Sequence, residues 1–277
     1  METQEARQPA EPDQNPAHAD ESQASGSKRT GILAALAAAG VIAIKCIKPL
    51  LIGLKAFKLG AVLKTGLTMV LCMWAYALAW GWQFAVAFVL LILLHEMGHM
   101  YALRQFGIQS SVPVFIPFVG AFIAMKEMPP NAEIEAWTGI AGPLVGTGAA
   151  TLCWSAGLYT GNPFWFAVAY SGFFLNLFNL IPVRPLDGGR TVAAISPILW
   201  VVGFIVILAL IVRSFNPILL VILFLAAKNI YTVWKMRNTV QKEYYAVSRK
   251  GKIQLTLCYF GLLTFLAVGM SLTRVSV

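Results

Sequence analysis

The chain of 277 residues is 58% hydrophobic, with only 12% charged residues and a mean hydropathy of +0.71. A soluble domain carries about twice that share of charge, so composition excludes an ordinary soluble globular protein and predicts an integral membrane protein. The net charge of +9 is uneven: residues 31–277 hold 18 basic side chains against six acidic ones, a surplus typical of cytoplasmic loops and anionic headgroups, not of nucleic-acid binding.

Residues 1–30 are rich in Gln, Ala, Pro, Ser and acidic side chains and lack an apolar stretch. They predict a disordered polar tail, not a signal peptide. Residues 31–64 then set Lys45, Lys48, Lys55, Lys58 and Lys64 in an apolar background. The first four fall within ~140° of a helical projection. A basic amphipathic segment on the membrane surface is the preferred reading, with a weak extra span as the alternative.

From residue 65 onward hydropathy predicts spans near 67–82, 83–104, 137–158, 164–181, 197–213 and 215–233, with a seventh at 253–273. The expected fold class is an all-α polytopic membrane protein of about six to seven transmembrane helices. Residues 65–192 would form its core and 193–277 its C-terminal helices. If the spans alternate, Lys55, Lys58, Lys64, Arg104, Lys126, Arg184, Arg190 and the basic connection 234–252 share one side. The positive-inside rule makes that side cytoplasmic, and the expected location is the bacterial inner membrane. Cys46, Cys72, Cys153 and Cys258 are scattered without metal or disulfide spacing and read as small core residues.

The second span contains His95-Glu96-Met97-Gly98-His99. On a helix of ~100° per residue the two imidazoles lie within ~40° of each other and one turn apart, so both reach one metal ion. Glu96 sits beside them, placed to take a proton from an activated water. The chain has only three histidines, and the third, His18, is in the polar tail. A chance HExxH in this composition is on the order of one in a thousand. The competing reading, two histidines hydrogen-bonded to a neighbouring helix, buries His, Glu and His at a cost no ion offsets.

Between the second and third spans, 107–136 is apolar, β-branched and broken by Pro and Gly, notably through Ser111–Ile123. That pattern favours extended strands. At membrane depth such backbone must be satisfied by protein or line a wet cavity, which predicts a short re-entrant β-hairpin beside the active site. An interfacial loop is the plainer alternative.

Catalytic zinc takes three protein ligands and leaves a position for water. With no third membrane histidine, a carboxylate must complete the set. Glu127, Glu133 and Glu135 read as headgroup-facing charges, and Glu243 lies in the basic connection. Asp187 follows Asn179-Leu180-Ile181-Pro182-Val183-Arg184-Pro185-Leu186 and precedes Gly188-Gly189, where prolines stop the helix and glycines free the backbone. Elimination names Asp187.

HEMGH within a span, followed by N-x-x-P-x-x-x-L-D-G-G, resembles the site-2 protease family of intramembrane zinc metalloproteases. Ala141-Gly142-Pro143 is a further likeness, and the whole covers roughly 83–192. The resemblance implies one Zn2+ per chain held by His95, His99 and Asp187, with Glu96 as general base. It also implies that Asn179 hydrogen-bonds the substrate carbonyl or oxyanion; from the residues alone, Asn179 and Asn176 read equally as interhelical hydrogen-bonding groups. Leu180 stands where many relatives carry proline. Too few residues separate His99 from Asp187 for a PDZ domain, so substrate selection falls to the membrane part or to partner proteins.

The expected reaction is peptide-bond hydrolysis within a transmembrane helix of another membrane protein. The substrate must unwind to expose a carbonyl, and pairing with an edge strand near Phe118–Ala124 would hold it extended. Phe118, Gly120 and Phe122 are the candidate contacts. Two other classes compete: a membrane metalloprotease of the prenyl-protein or quality-control type, which needs a downstream Glu ligand, and a non-enzymatic transporter or metal sensor, which needs more polar groups along a pathway. Two available histidines exclude a His-box oxygenase.

Overall fold

A computed structural model describes residues 60–214, 216–235 and 241–274. The predicted polar tail and nearly all of the basic surface segment, with His18 and Cys46, lie outside the described residues. The elements run α1 (Ala61–Trp80), α2 (Trp82–Gln105), β1 (Val114–Ile116), β2 (Gly120–Phe122), α3 (Ala132–Thr160), α4 (Pro163–Asn179), α5 (Asp187–Ile195), α6 (Leu199–Arg213), α7 (Pro217–Lys235), α8 (Gln241–Tyr244) and α9 (Arg249–Leu272).

Local chemistry sets most boundaries. Gly81, at φ 80°, separates α1 from α2 and returns its N–H to Ala77. Asn131 caps α3 by accepting from the Ile134 N–H at 2.9 Å. Gly161 ends α3 in the left-handed region, and Asn162 then caps α4 ahead of Pro163.

α3 is the central element, packed against α2, α4, α5 and α9. Small residues allow the close approach. A Cβ at Gly98 of α2 would strike the Ala141 carbonyl of α3, and one at Gly172 of α4 would strike Ala150. The main core gathers Ile140, Ala150, Ala169, Phe173, Val192, Trp200, Tyr259 and Leu266 from α3, α4, α5, α6 and α9. A second cluster joins Cys72 and Tyr76 of α1 to Val89 and Ile92 of α2 and Phe115 of β1. Cys72 is buried and Cys153 and Cys258 half-buried, all as free thiols.

Many large apolar side chains face outward, including Leu78, Leu152, Val212 and Leu257, as expected of surface meant for lipid and not water. Among the described residues, α1 from Leu63, α2 and α9 are long and apolar enough to cross a bilayer, while α6 and the apolar part of α7 are shorter. The chain is therefore a helical membrane protein, with three helices meeting the length and composition of a span.

The expected hairpin is present. β1 and β2 pair antiparallel with Val114 opposite Phe122, Phe115 opposite Ala121 and Ile116 opposite Gly120. α1 holds it: Thr65 Oγ1 donates to the Pro113 carbonyl at 2.8 Å, the Phe115 N–H donates to Thr68 Oγ1 at 3.3 Å, and the Phe118 N–H donates to Tyr76 Oη at 3.1 Å. β2 lies beside α2.

Candidate metal centre

α2 carries His95, Glu96 and His99 into the interior, exposed by 3%, 6% and 8%. The room for them comes from α3. A Cβ at Gly142 would run into the His99 ring, and one at Gly146 into the carboxamide of Asn176 from α4. Beyond α4 the chain turns through Leu180–Leu186, with a cis Arg184–Pro185 bond, and Asp187 opens α5.

The two glycines after Asp187 act differently from the sequence expectation. Neither has a positive φ. Both are buried, and a Cβ at Gly188 would hit the Leu180 carbonyl while one at Gly189 would hit the backbone of Val183–Arg184. They are small because α5 lies directly on the preceding turn, not because the backbone needs unusual freedom.

Three donor atoms converge. His95 Nε2 and His99 Nε2 are each 3.1 Å from Asp187 Oδ2 and 3.1 Å from one another. Each imidazole is oriented from behind: His95 Nδ1–H donates to Asn176 Oδ1 at 2.8 Å, and His99 Nδ1–H donates to the Thr138 carbonyl at 2.8 Å. Asn176 is itself fixed, since its Nδ2 donates to the Gly172 carbonyl at 2.7 Å. With the protons on Nδ1, both Nε2 lone pairs point at the carboxylate oxygen. A shared proton would serve one pair of the three; a cation serves all of them. Tetrahedral bonds of ~2.0–2.1 Å separate donors by roughly 3.3 Å, so the spacing and the nitrogen–oxygen donor set fit a metal ion. Among the described residues these three form the metal-ligating group.

Glu96 lies close enough to both imidazoles and Asp187 to feel their charge. Its carboxylate has no hydrogen-bond partner among the described residues, which leaves it free for a water. Asn179 stands one turn beyond Asn176, half-buried, with its Nδ2 donating to the Leu175 carbonyl at 3.1 Å. Sequence reasoning does not single out the orienting role of Asn176. The available signal is an Asn in an apolar helix, which must find a partner.

Glu135 corrects another expectation. It does not face headgroups: its side chain is 5% exposed, and Oε2 accepts from Arg184 Nη2 at 2.6 Å and from Tyr244 Oη at 2.8 Å. Burial, then the Glu135 carboxylate, pushes the Tyr244 hydroxyl pKa up. Glu133 accepts from Ser248 Oγ at 3.3 Å, at the start of α9.

The hairpin refines the third set of candidates. Because the Phe115 N–H points out to Thr68, Phe115 and Ala121 form a non-hydrogen-bonded pair. Gly120 and Phe122 therefore direct their backbone groups inward to β1, and the Phe118 N–H is held by Tyr76. The residue of β2 whose N–H and C=O face away is Ala121. The side chains of Phe118 and Phe122 are exposed.

Fold and site together define a helical membrane protein with a His–His–Asp centre suited to a metal and a free buried carboxylate beside it. Residues 83–162 match the model of peptidase family M50, a stretch that includes HEMGH and all of α3 and ends before Asn176, Asn179 and Asp187. The chain is also similar to a zinc metalloprotease of Methanocaldococcus jannaschii, 35% identical over 119 residues, which are 40% of this chain and 34% of that protein. The match thus spans about a third of the relative's length. The match and the relative's name bear out the family likeness read from the sequence.

Proposed function

We propose that the chain is an intramembrane zinc metalloendopeptidase that hydrolyses peptide bonds in transmembrane segments of other membrane proteins. The observation that carries this reading is the convergence of His95 Nε2, His99 Nε2 and Asp187 Oδ2 at mutual distances of 3.1 Å, beside Glu96, on a helix of bilayer length. The family-model match over residues 83–162 and the relative's name support it. Zinc is the proposed ion, one per chain, because three nitrogen and oxygen ligands leave room for a water in a tetrahedral site.

A zinc held by His95, His99 and Asp187 would supply an acidified water and Lewis-acid polarisation of the scissile carbonyl. Asn176 and the Thr138 carbonyl keep both imidazoles in the tautomer that presents Nε2. Glu96 accepts the proton of the attacking water and returns it to the departing amine nitrogen. Asn179 gives one Nδ2 hydrogen to the Leu175 carbonyl and keeps a second to donate to the substrate oxygen. β2 offers the Ala121 N–H and C=O as an edge for an unwound substrate strand, flanked by the exposed rings of Phe118 and Phe122. We place the site toward the cytoplasmic side of a bacterial inner membrane, on the strength of the basic residues near Arg184 and Arg190. The rival that uses a downstream glutamate ligand loses support, since Glu243 lies exposed on α8 and Asp187 occupies the third position.

The test is co-reconstitution with a model transmembrane substrate. Wild type should cleave it, and Glu96→Gln should retain zinc yet lose cleavage, because an amide cannot accept the water proton. Cleavage by Glu96→Gln at the wild-type rate would refute the mechanism.

A further inference from the structure

Asp187 is the one ligand of the three that is not on α2, and its place depends on a turn that has no regular structure of its own. The turn from Leu180 to Leu186 is held instead by side chains from α3, α6 and α9, with α8 acting through Glu135. Tyr259 of α9 donates to the Leu180 carbonyl at 2.5 Å. Trp200 of α6 donates through Nε1 to the Gly189 carbonyl at 2.7 Å, and its ring lies 5.7 Å from the Arg184 guanidinium. Arg184, three residues before Asp187, pairs with Glu135 of α3, and the same Glu135 oxygen accepts from Tyr244 of α8. α5 then packs directly on this turn, Gly188 against the backbone of Leu180 and Gly189 against that of Val183 and Arg184.

We infer that Glu135, Arg184 and Tyr244 form a latch that positions Asp187 for the metal, and that the Tyr244 hydroxyl of α8 thereby tunes the affinity of the centre. Glu135 and Arg184 are 49 residues apart and Tyr244 is 109 beyond Glu135, so the latch joins three parts of the chain at one carboxylate oxygen. A buried ion pair adds little stability by itself, because desolvation offsets the attraction. What it does supply is a fixed geometry, since removing one partner leaves the other charge unpaired. Tyr244 is the adjustable member. It contributes a single hydroxyl from a four-residue helix, and any event that draws α8 away frees one side of the Glu135 carboxylate and loosens Arg184. These are positioning residues; none touches the reacting atoms.

The inference rests on the metal-centre reading, and the experiment separates the two. Zinc affinity of the full-length protein in detergent is measured by competition with a chelator, alongside Tm, for Tyr244→Phe, Glu135→Gln, Asp187→Ala and Phe115→Leu. The last trims a buried side chain in the α1–α2–β1 cluster, which contains no residue of the Leu180–Leu186 turn. Tyr244→Phe should weaken zinc binding about threefold to tenfold and Glu135→Gln about tenfold or more, within the range for groups that orient metal ligands. Phe115→Leu should lower Tm and leave affinity unchanged. Should Glu135→Gln fail to fold, Tyr244→Phe decides alone. Affinities within twofold of wild type in Tyr244→Phe, with binding lost in Asp187→Ala, would overturn the latch and leave the metal site standing. Equal weakening in Phe115→Leu would reduce the effect to general stability and also overturn it. Undiminished binding in Asp187→Ala would sink the metal-centre reading itself.

Discussion

Truncating Asn176 to alanine should loosen the metal more than it loosens the fold. The carboxamide is 1% exposed, with Oδ1 2.8 Å from His95 Nδ1 and Nδ2 2.7 Å from the Gly172 carbonyl. In Asn176→Ala the Nδ1–H of His95 faces a void that Gly146 does nothing to fill. A buried unpaired donor costs about 1–3 kcal/mol. The ring escapes part of that cost by rotating or by moving its proton to Nε2, and either change takes the Nε2 lone pair away from the ion. At about 1.4 kcal/mol per tenfold, metal affinity should fall about 5- to 100-fold, the range expected when a histidine ligand loses its orienting partner. Asn176→Asp keeps an acceptor at the same place and should hold affinity within about tenfold of wild type. The assay is zinc competition against a chelator in detergent, with Tm recorded in parallel. Wild-type affinity in Asn176→Ala, or equal losses in the alanine and aspartate variants, would refute the claim that this hydrogen bond selects the tautomer.

Three further outcomes are expected. Stripping zinc with a chelator should lower Tm, by the equivalent of about 4 kcal/mol if the metal had stood at 1,000 times its Kd, and His95→Ala, His99→Ala and Asp187→Ala should each abolish the chelator-sensitive part; a shift that survives in all three would place the ion elsewhere. Gly142→Ala drives a methyl group into the His99 ring, whereas Gly148→Ala meets nothing, so metal analysis should show zinc lost from the first variant and kept in the second. Ala121→Pro removes the outward donor of β2 but spares the hairpin's own bonds, so cleavage should slow with zinc content unchanged, while Ala121→Val should cleave normally; full activity in the proline variant would end the strand-pairing proposal.

Much of the site is legible in the amino-acid sequence, because it rests on local geometry. A helix of bilayer length follows from the run of apolar residues around HEMGH, and the spacing of four between His95 and His99 places both rings on one face of any α-helix. Asp187 follows by elimination, since so few carboxylates accompany the apolar chain. The hairpin is legible in the β-branched residues and the Pro and Gly breaks of 111–123, a pattern that favours extended backbone over helix.

What escapes such reading depends on residues far apart in the chain. Glu135, in the first turn of α3, has the look of a solvated acid near a helix N-terminus; its burial depends on Arg184 and Tyr244 arriving from distant segments. Asn176 shows by itself only that it needs a partner, and that the partner is His95 depends on how closely α4 packs on α2. The glycines at 142, 146, 188 and 189 hold no positive φ, so nothing in local conformation explains them, and their smallness makes sense only once a ring, a carboxamide or a neighbouring turn is seen against them. Composition and the helical repeat act over a few residues and are written into the sequence directly, whereas burial and close approach are properties of pairs of segments, and exist only after the chain has packed.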